Sequence, residues 1–206
     1  MANPKLRLVA PHTEKRTVTS TRLPNADLRT REHLTDDEVE KLIEVAKRNR
    51  HGTRDALMVL LAYRHGLRAK EVVELRWEQV DFKGGRLHVR RAKNGTPATH
   101  PLTGRELREL RKHRRESEQS PFVFVSERGS PLAPIGFSRM VERAAIEADL
   151  GIKAHAHMLR HACGYKLAND GVDTRSLQAY LGHSNIQNTT RYTALAPDRF
   201  KGFWRD

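Results

Sequence analysis

Apolar residues recur at helical intervals from Leu34 onward. Thr35 and Glu38 make a capping-box pair, and Leu34 with Val39 makes the matching hydrophobic staple. Val39, Leu42, Ile43 and Ala46 then keep to one face. A second helix is predicted over about 53–65. Its Ala56, Leu57, Val59, Leu60, Leu61 and Tyr63 leave little polar surface, so it belongs in the middle of a core, and Gly66 is a natural stop. A short helix over 69–75 follows.

Over 80–102 the pattern changes. Asp81-Phe82-Lys83-Gly84-Gly85 reads as a turn, Leu87-His88-Val89 as a strand, Lys93-Asn94-Gly95 as a second turn, and 96–102 as the returning strand. A small antiparallel sheet is the expected result. Thr103 and Glu106 cap the next helix, with Leu107 and Leu110 inward, and Phe122-Val123-Phe124-Val125 reads as a short buried strand. Pro134 opens a helix whose apolar side carries Phe137, Met140, Val141, Ala144 and Ala148, and Gly151 closes it. Helical pieces over 156–169, 174–181 and 185–193 come next, separated by Gly171 and Gly182, and 197–204 is a last short helix. There is no internal repeat, which argues against a solenoid. The expected fold class is α+β, mainly helical with one small antiparallel sheet.

Residues 1–33 show no sustained period. They carry Lys5, Arg7, Lys15, Arg16, Arg22, Arg29 and Arg31 against Glu14, Asp27 and Glu32, and read as a flexible basic arm. Such an arm either tracks phosphates or is a passive terminus. The 206-residue length leaves 34–206 as one compact domain able to bury a core. A net charge of +13 favours polyanions, with DNA or RNA the default partner. The one cysteine, Cys163, excludes an internal disulfide and a cysteine-rich zinc site and suits a reducing compartment. No apolar run approaches the roughly 20 residues of a membrane span, and the N-terminus lacks a signal-peptide stretch. A cytoplasmic protein is expected.

The last third carries the chemistry. His157 and Arg160 share a helix face at i and i+3 within His157-Met158-Leu159-Arg160-His161, Leu181-Gly182-His183 follows, and Tyr192 lies nine residues beyond His183. Arg68 stands just after the Gly66-Leu67 turn, and Lys93 on the hairpin tip. Such a set suits attack on a DNA phosphodiester. Arginine forks at Arg68 and Arg160 match the non-bridging oxygens of a five-coordinate phosphorus, and His183 is a third donor. A phenol with a pKa of about 10 is a poor nucleophile alone. A cationic site favours its phenolate, and His157 can take its proton. Lys93 is the best-placed donor to the leaving 5′ oxygen. Glu71 is expected to hold an arginine or histidine in place. His157 and His161 at i and i+4 also suit a metal, but no carboxylate lies between them and Arg160 would repel a cation. No metal or other cofactor is expected. Tyr63 and Tyr180 read as packing and Tyr165, five residues past Arg160, falls on another side of its helix, whereas Tyr192, flanked by Thr189, Thr190, Arg191 and Thr193, reads as an exposed phenol.

These pieces, with Gly66-Leu67-Arg68-Ala69-Lys70-Glu71, resemble the catalytic domain of the tyrosine site-specific recombinases (the lambda-integrase family). The blocks 155–164 and 167–175 are similar to the short recombinases of the fimbrial switch, which lack a separate N-terminal core-binding domain. The resemblance implies a mixed α/β catalytic domain over 34–206 and no such clamp ahead of it. It implies metal- and ATP-independent strand cleavage and transfer through a 3′-phosphotyrosine at Tyr192, with inversion, integration or excision at short inverted or direct repeats. It implies a homo-tetramer on double-stranded DNA, assembled through 197–206 or with that segment folded on its own chain, possible aid from accessory DNA-bending proteins, and a place at the bacterial nucleoid. His161 is a supporting residue. Arg86, Arg90, Arg91, Lys112, Arg114 and Arg115 are candidate DNA contacts. Two other readings stay open at this point, a non-catalytic DNA-binding regulator with the same fold and a relaxing type IB topoisomerase.

Overall fold

A computed structural model describes residues 31–92, 95–116 and 120–194. The basic arm up to residue 30, Lys93 and the 197–204 helix lie outside the described residues. The end of the predicted arm is not free: the His33 ring lies 4.0 Å from the Tyr165 ring, tilted by 33°, and Glu32 accepts from Arg191 at 2.8 Å.

Helix α1 (Asp36–Ala46) starts where the capping box predicts. Thr35 Oγ1 accepts from the Glu38 amide, and Glu38 reaches back to the Thr35 amide at 2.8 Å. Helix α2 (Gly52–Arg64) is buried from Asp55 to Tyr63 and packs against α1 and against the later helices Gly104–Glu116 and Ala156–Asn169, so the all-round apolar helix is the centre of the core. Helix α3 (Ala69–Val73) and a 3₁₀ turn (Trp77–Gln79) lead into β1 (Val80–Asp81), β2 (Arg86–Val89) and β3 (Ala98–Pro101). These form one antiparallel sheet in chain order, with Leu87 opposite His100 and Val89 opposite Ala98. Helices α4 (Gly104–Glu116), α5 (Pro134–Glu147), α6 (Ala156–Asn169), α7 (Thr174–Leu181) and α8 (Gln187–Ala194) complete the order.

One predicted element is absent. Phe122–Val125 forms no strand, only isolated bridges from Arg76 to Phe122 and from Val125 to Pro131. Val123 and Phe124 are fully buried, so the run is apolar because it fills the core. A short apolar run fits a buried strand or a buried loop equally well by periodicity, and prolines at 121 and 131 remove ladder donors at both ends.

Candidate active site

Gly66 leaves α2 with φ +56, a left-handed turn that a side chain would strain, and aims the chain into Leu67-Arg68. Arg68 is extended (φ −74, ψ 156) at the N-cap of α3. One turn on, the Glu71 carboxylate gathers four donors: the Arg68 amide at 2.9 Å, Arg68 Nη1 at 2.7 Å, the Ala92 amide at 2.9 Å and Arg91 Nη1 at 3.1 Å. Burial opposes its charge, but these amides and guanidiniums hold its carboxyl below the usual carboxylate range. Glu71, expected to hold an arginine or a histidine, is bonded to Arg68 and Arg91.

Arg91 departs from its predicted role as a DNA contact. Its side chain is wholly buried, with bonds to the carbonyls of His65, Gly66 and Tyr180 as well as to Glu71. The reason is strand parity. Leu87 and Val89 face the core, Arg90 turns to solvent beside Glu78 at 3.0 Å, and the next side chain points back inward. Of the other predicted contacts, Arg86, Lys112, Arg114 and Arg115 are exposed, and Arg114 lies over Trp77 at 5.6 Å.

On α6, Arg160 is 1% exposed although it is an arginine. Its Nη1 donates to the Gly66 carbonyl and its Nη2 to the Leu181 carbonyl at 2.7 Å. Burial, then the nearby Arg68 and Arg91 charges, pull its pKa down to about 10. Gly182 (φ +65) ends α7 and brings His183 back towards the cluster; a Cβ there would stand 2.6 Å from Arg91 Cγ. His183 Nδ1 meets Thr189 Oγ1 at 2.8 Å. Burial and Arg160 pull the His183 imidazole down to about 4. His157 keeps an open face to solvent, yet the packed walls around its ring and the Arg160 charge pull it to about 4. Its ring meets His161 edge-on at 4.5 Å.

Tyr192 is the second departure. The predicted exposed phenol is 2% exposed. Its hydroxyl is hydrogen-bonded to His161 Nδ1 at 2.9 Å, its ring meets Tyr165 edge-on at 5.1 Å, and it lies parallel to His183 at 6.3 Å. The seat exists because residue 164 is glycine: a Cβ there would fall 2.8 Å from the ring. Thr189 and Tyr192, at i and i+3, form the inner face of α8. Burial pushes the phenol up to about 12, against the pull of Arg160. Burial, then His157, pushes His161 down to about 3.

The fold thus joins Arg68, Glu71, His157, Arg160, His161, His183 and Tyr192 in one buried-edge cluster, and Lys93 lies outside the described residues. Sequence reasoning missed Arg91, Gly164 and Thr189 as parts of it. Only the in–out parity of β2 carried a signal, and that pointed to Arg91. Among the described residues, no three His, Cys, Asp or Glu side chains converge to hold a metal, and no helix is long and apolar enough to cross a membrane.

Known proteins resemble this chain in sequence and in fold. Residues 32–199 match the phage integrase family. The type 1 fimbriae regulatory protein FimE of Escherichia coli K12 is 41% identical over 180 residues, covering 84% of this chain and 91% of that protein. Tyrosine recombinase XerA of Pyrococcus furiosus is 36% identical, over 82% of this chain and 59% of that one. Among solved structures, XerA recombinase superposes with a TM-score of 0.72 at 26% identity, over 83% of this chain and 63% of the other. XerH bound to its palindromic difH substrate after cleavage gives 0.71 at 22%, over 82% and 51%.

Proposed function

The chain belongs to the phage integrase family, and from that premise we propose how its residues cut and rejoin DNA as a site-specific tyrosine recombinase. Tyr192 Oη attacks the scissile phosphorus. The Oη–P bond forms, the P–O5′ bond breaks, and the 3′ end stays linked to the protein. The phenol proton passes to an imidazole of the His157–His161 pair, and Lys93 protonates the departing O5′. A 5′-hydroxyl from another strand then reverses the step. The bond energy is kept in the phosphotyrosine, so neither ATP nor a metal is needed.

The single observation that carries this assignment is Arg160. One buried guanidinium joins the carbonyl of Gly66, just before Arg68, to the carbonyl of Leu181, two residues before His183. Three motifs far apart in sequence are thereby held around one point. The Glu71 carboxylate balances the buried Arg91, which leaves the charges of Arg68 and Arg160 for a phosphate. The Tyr192 ring is packed inward, so the described arrangement is a resting one and the phenol leaves its seat before attack.

The substrate in this reading is double-stranded DNA with short inverted or direct repeats, and the similarity to FimE favours inversion. The assembly is a homo-tetramer on DNA, with 197–206 as its docking segment, DNA-bending proteins as accessories, and the nucleoid as its place of work. Residues 34–206 act as the catalytic domain. Exposed Arg86, Arg90, Lys112, Arg114 and Arg115 supply phosphate contacts, so affinity falls steeply with salt. The test uses nicked duplexes taken from the DNA flanking the gene. An adduct that survives detergent supports the reading; specific binding with no cleavage on any of them favours a regulator that keeps the fold.

A further inference from the structure

The Arg91 side chain is fully enclosed in the described site, and strand transfer as written above gives it no task. It is 0% exposed at the side chain, beside a carboxylate that is 2% exposed. An arginine on a basic, DNA-binding surface would be expected to face solvent. Instead its Nη1 bonds to Gly66 O at 3.2 Å and Glu71 Oε2 at 3.1 Å, while Nη2 bonds to His65 O at 3.0 Å and to Tyr180 O. Its Nε has no hydrogen-bond partner. A buried charge is costly to keep unless its geometry is used.

Three of these four bonds lead to a residue of the proposed site. Glu71 passes the contact on to Arg68 Nη1 at 2.7 Å. The Gly66 carbonyl is shared with Arg160. Tyr180 O lies in the last turn of α7, and the stem of Arg91 fills the space beside Gly182, the residue before His183. Ala92, the next residue, donates its amide to Glu71 and accepts from Arg68 Nη1 at 3.3 Å. The strand exit that leads to Lys93 is therefore fastened at the same place.

We propose that Arg91 is a positioning residue for strand transfer: its planar fork sets Arg68 through Glu71, Arg160 through the Gly66 carbonyl, and His183 through the end of α7, without touching DNA. This rests on the recombinase reading above. A lysine cannot replace it, because one ammonium has no fixed planar fork to span the Glu71 carboxylate and three carbonyls. Misplacing a reacting group by about 1 Å costs about 100-fold in rate.

The experiment compares the full chain with Arg91→Lys and Arg91→Met in three measurements. These are affinity for a random-sequence duplex across a salt series, adduct formation at saturating protein on a nicked duplex that the wild type cleaves, and the arginine Nε–H NMR signals. The proposal expects unchanged affinity and salt slope in both variants. It expects a drop of about 100-fold in adduct rate, shifted Arg68 and Arg160 signals, and partial recovery of Arg91→Met by added guanidinium ion. A folded Arg91→Lys that cleaves at the wild-type rate overturns it. So does lost affinity with a salt slope smaller by about one, the mark of a phosphate contact. If Arg91→Met fails to fold, Arg91→Lys still decides. If the wild type cleaves nothing, the recombinase reading fails on its own account. The NMR signals then report whether Arg91 holds Arg68 and Arg160, and unmoved signals reject the proposal.

Discussion

The Tyr192 hydroxyl and His161 Nδ1 are 2.9 Å apart inside the fold, in a seat that Gly164 leaves open. The proposed nucleophile is held by the same helix, α6, that carries Arg160. Replacing His161 with Phe keeps a ring in place and leaves the phenol without its partner. An orphaned buried hydroxyl costs about 1–3 kcal/mol. We expect that loss in urea unfolding, together with faster nitration of Tyr192 as the seat loosens. Unchanged stability and unchanged nitration would show that the hydrogen bond does not hold the ring.

Gly164→Ala acts on the same seat from below. Alanine gains about 1 kcal/mol in helix propensity, but its Cβ would stand 2.8–2.9 Å from three atoms of the Tyr192 ring. Overpacking of this kind costs about 1–3 kcal/mol. The expected outcome is faster amide hydrogen exchange across α8 with α6 unchanged. A more protected α8 would contradict it.

Acid should weaken the fold earlier than carboxylate chemistry alone would. His100 and His161 are buried, and their pKa values are pulled from 6.5 to about 3, chiefly by burial. Both bind a proton less readily folded than unfolded. Their stabilising effect is therefore complete above pH 6.5 and is lost as the pH falls towards 3. Each contributes a slope of up to about 1.4 kcal/mol per pH unit in that window. His157 and His183 act in the same direction. Urea midpoints measured from pH 7.5 to 5 should fall below about pH 6.5. A flat profile would mean that these rings take up protons in place.

Glu71 has the opposite charge and a larger expected effect. Among the described residues it is the one carboxylate bonded to both Arg68 and Arg91. Glu71→Ala leaves the fully buried Arg91 without its counter-charge, and breaking a buried pair costs about 3–5 kcal/mol. A denaturation midpoint close to wild type would refute that.

Much of this was legible in the chain. The Thr35/Glu38 cap, the all-apolar α2 and the paired strands follow from local spacing, because capping and amphipathic period act over a few residues. The site was legible as motifs because Arg68, Arg160 and His183 each sit beside a turn glycine or on a clear helix. Three features were not. Arg91 looked like its neighbour Arg90 until the strand register set their opposite facing. Tyr192 looked exposed because its polar flanks hide an inner face made by Thr189 and by Gly164 on another helix. Phe122–Val125 is apolar for burial rather than for pairing, and composition alone does not separate the two.

The central claim is that one phenol becomes bonded to DNA. The direct measurement is peptide mapping by mass spectrometry after incubation with nicked duplex from the flanking DNA, for wild type and Tyr192→Phe. The account predicts a nucleotide attached to the peptide containing Tyr192 and no adduct in the variant. A DNA-linked peptide that lacks residue 192, or an adduct formed by Tyr192→Phe, would contradict it.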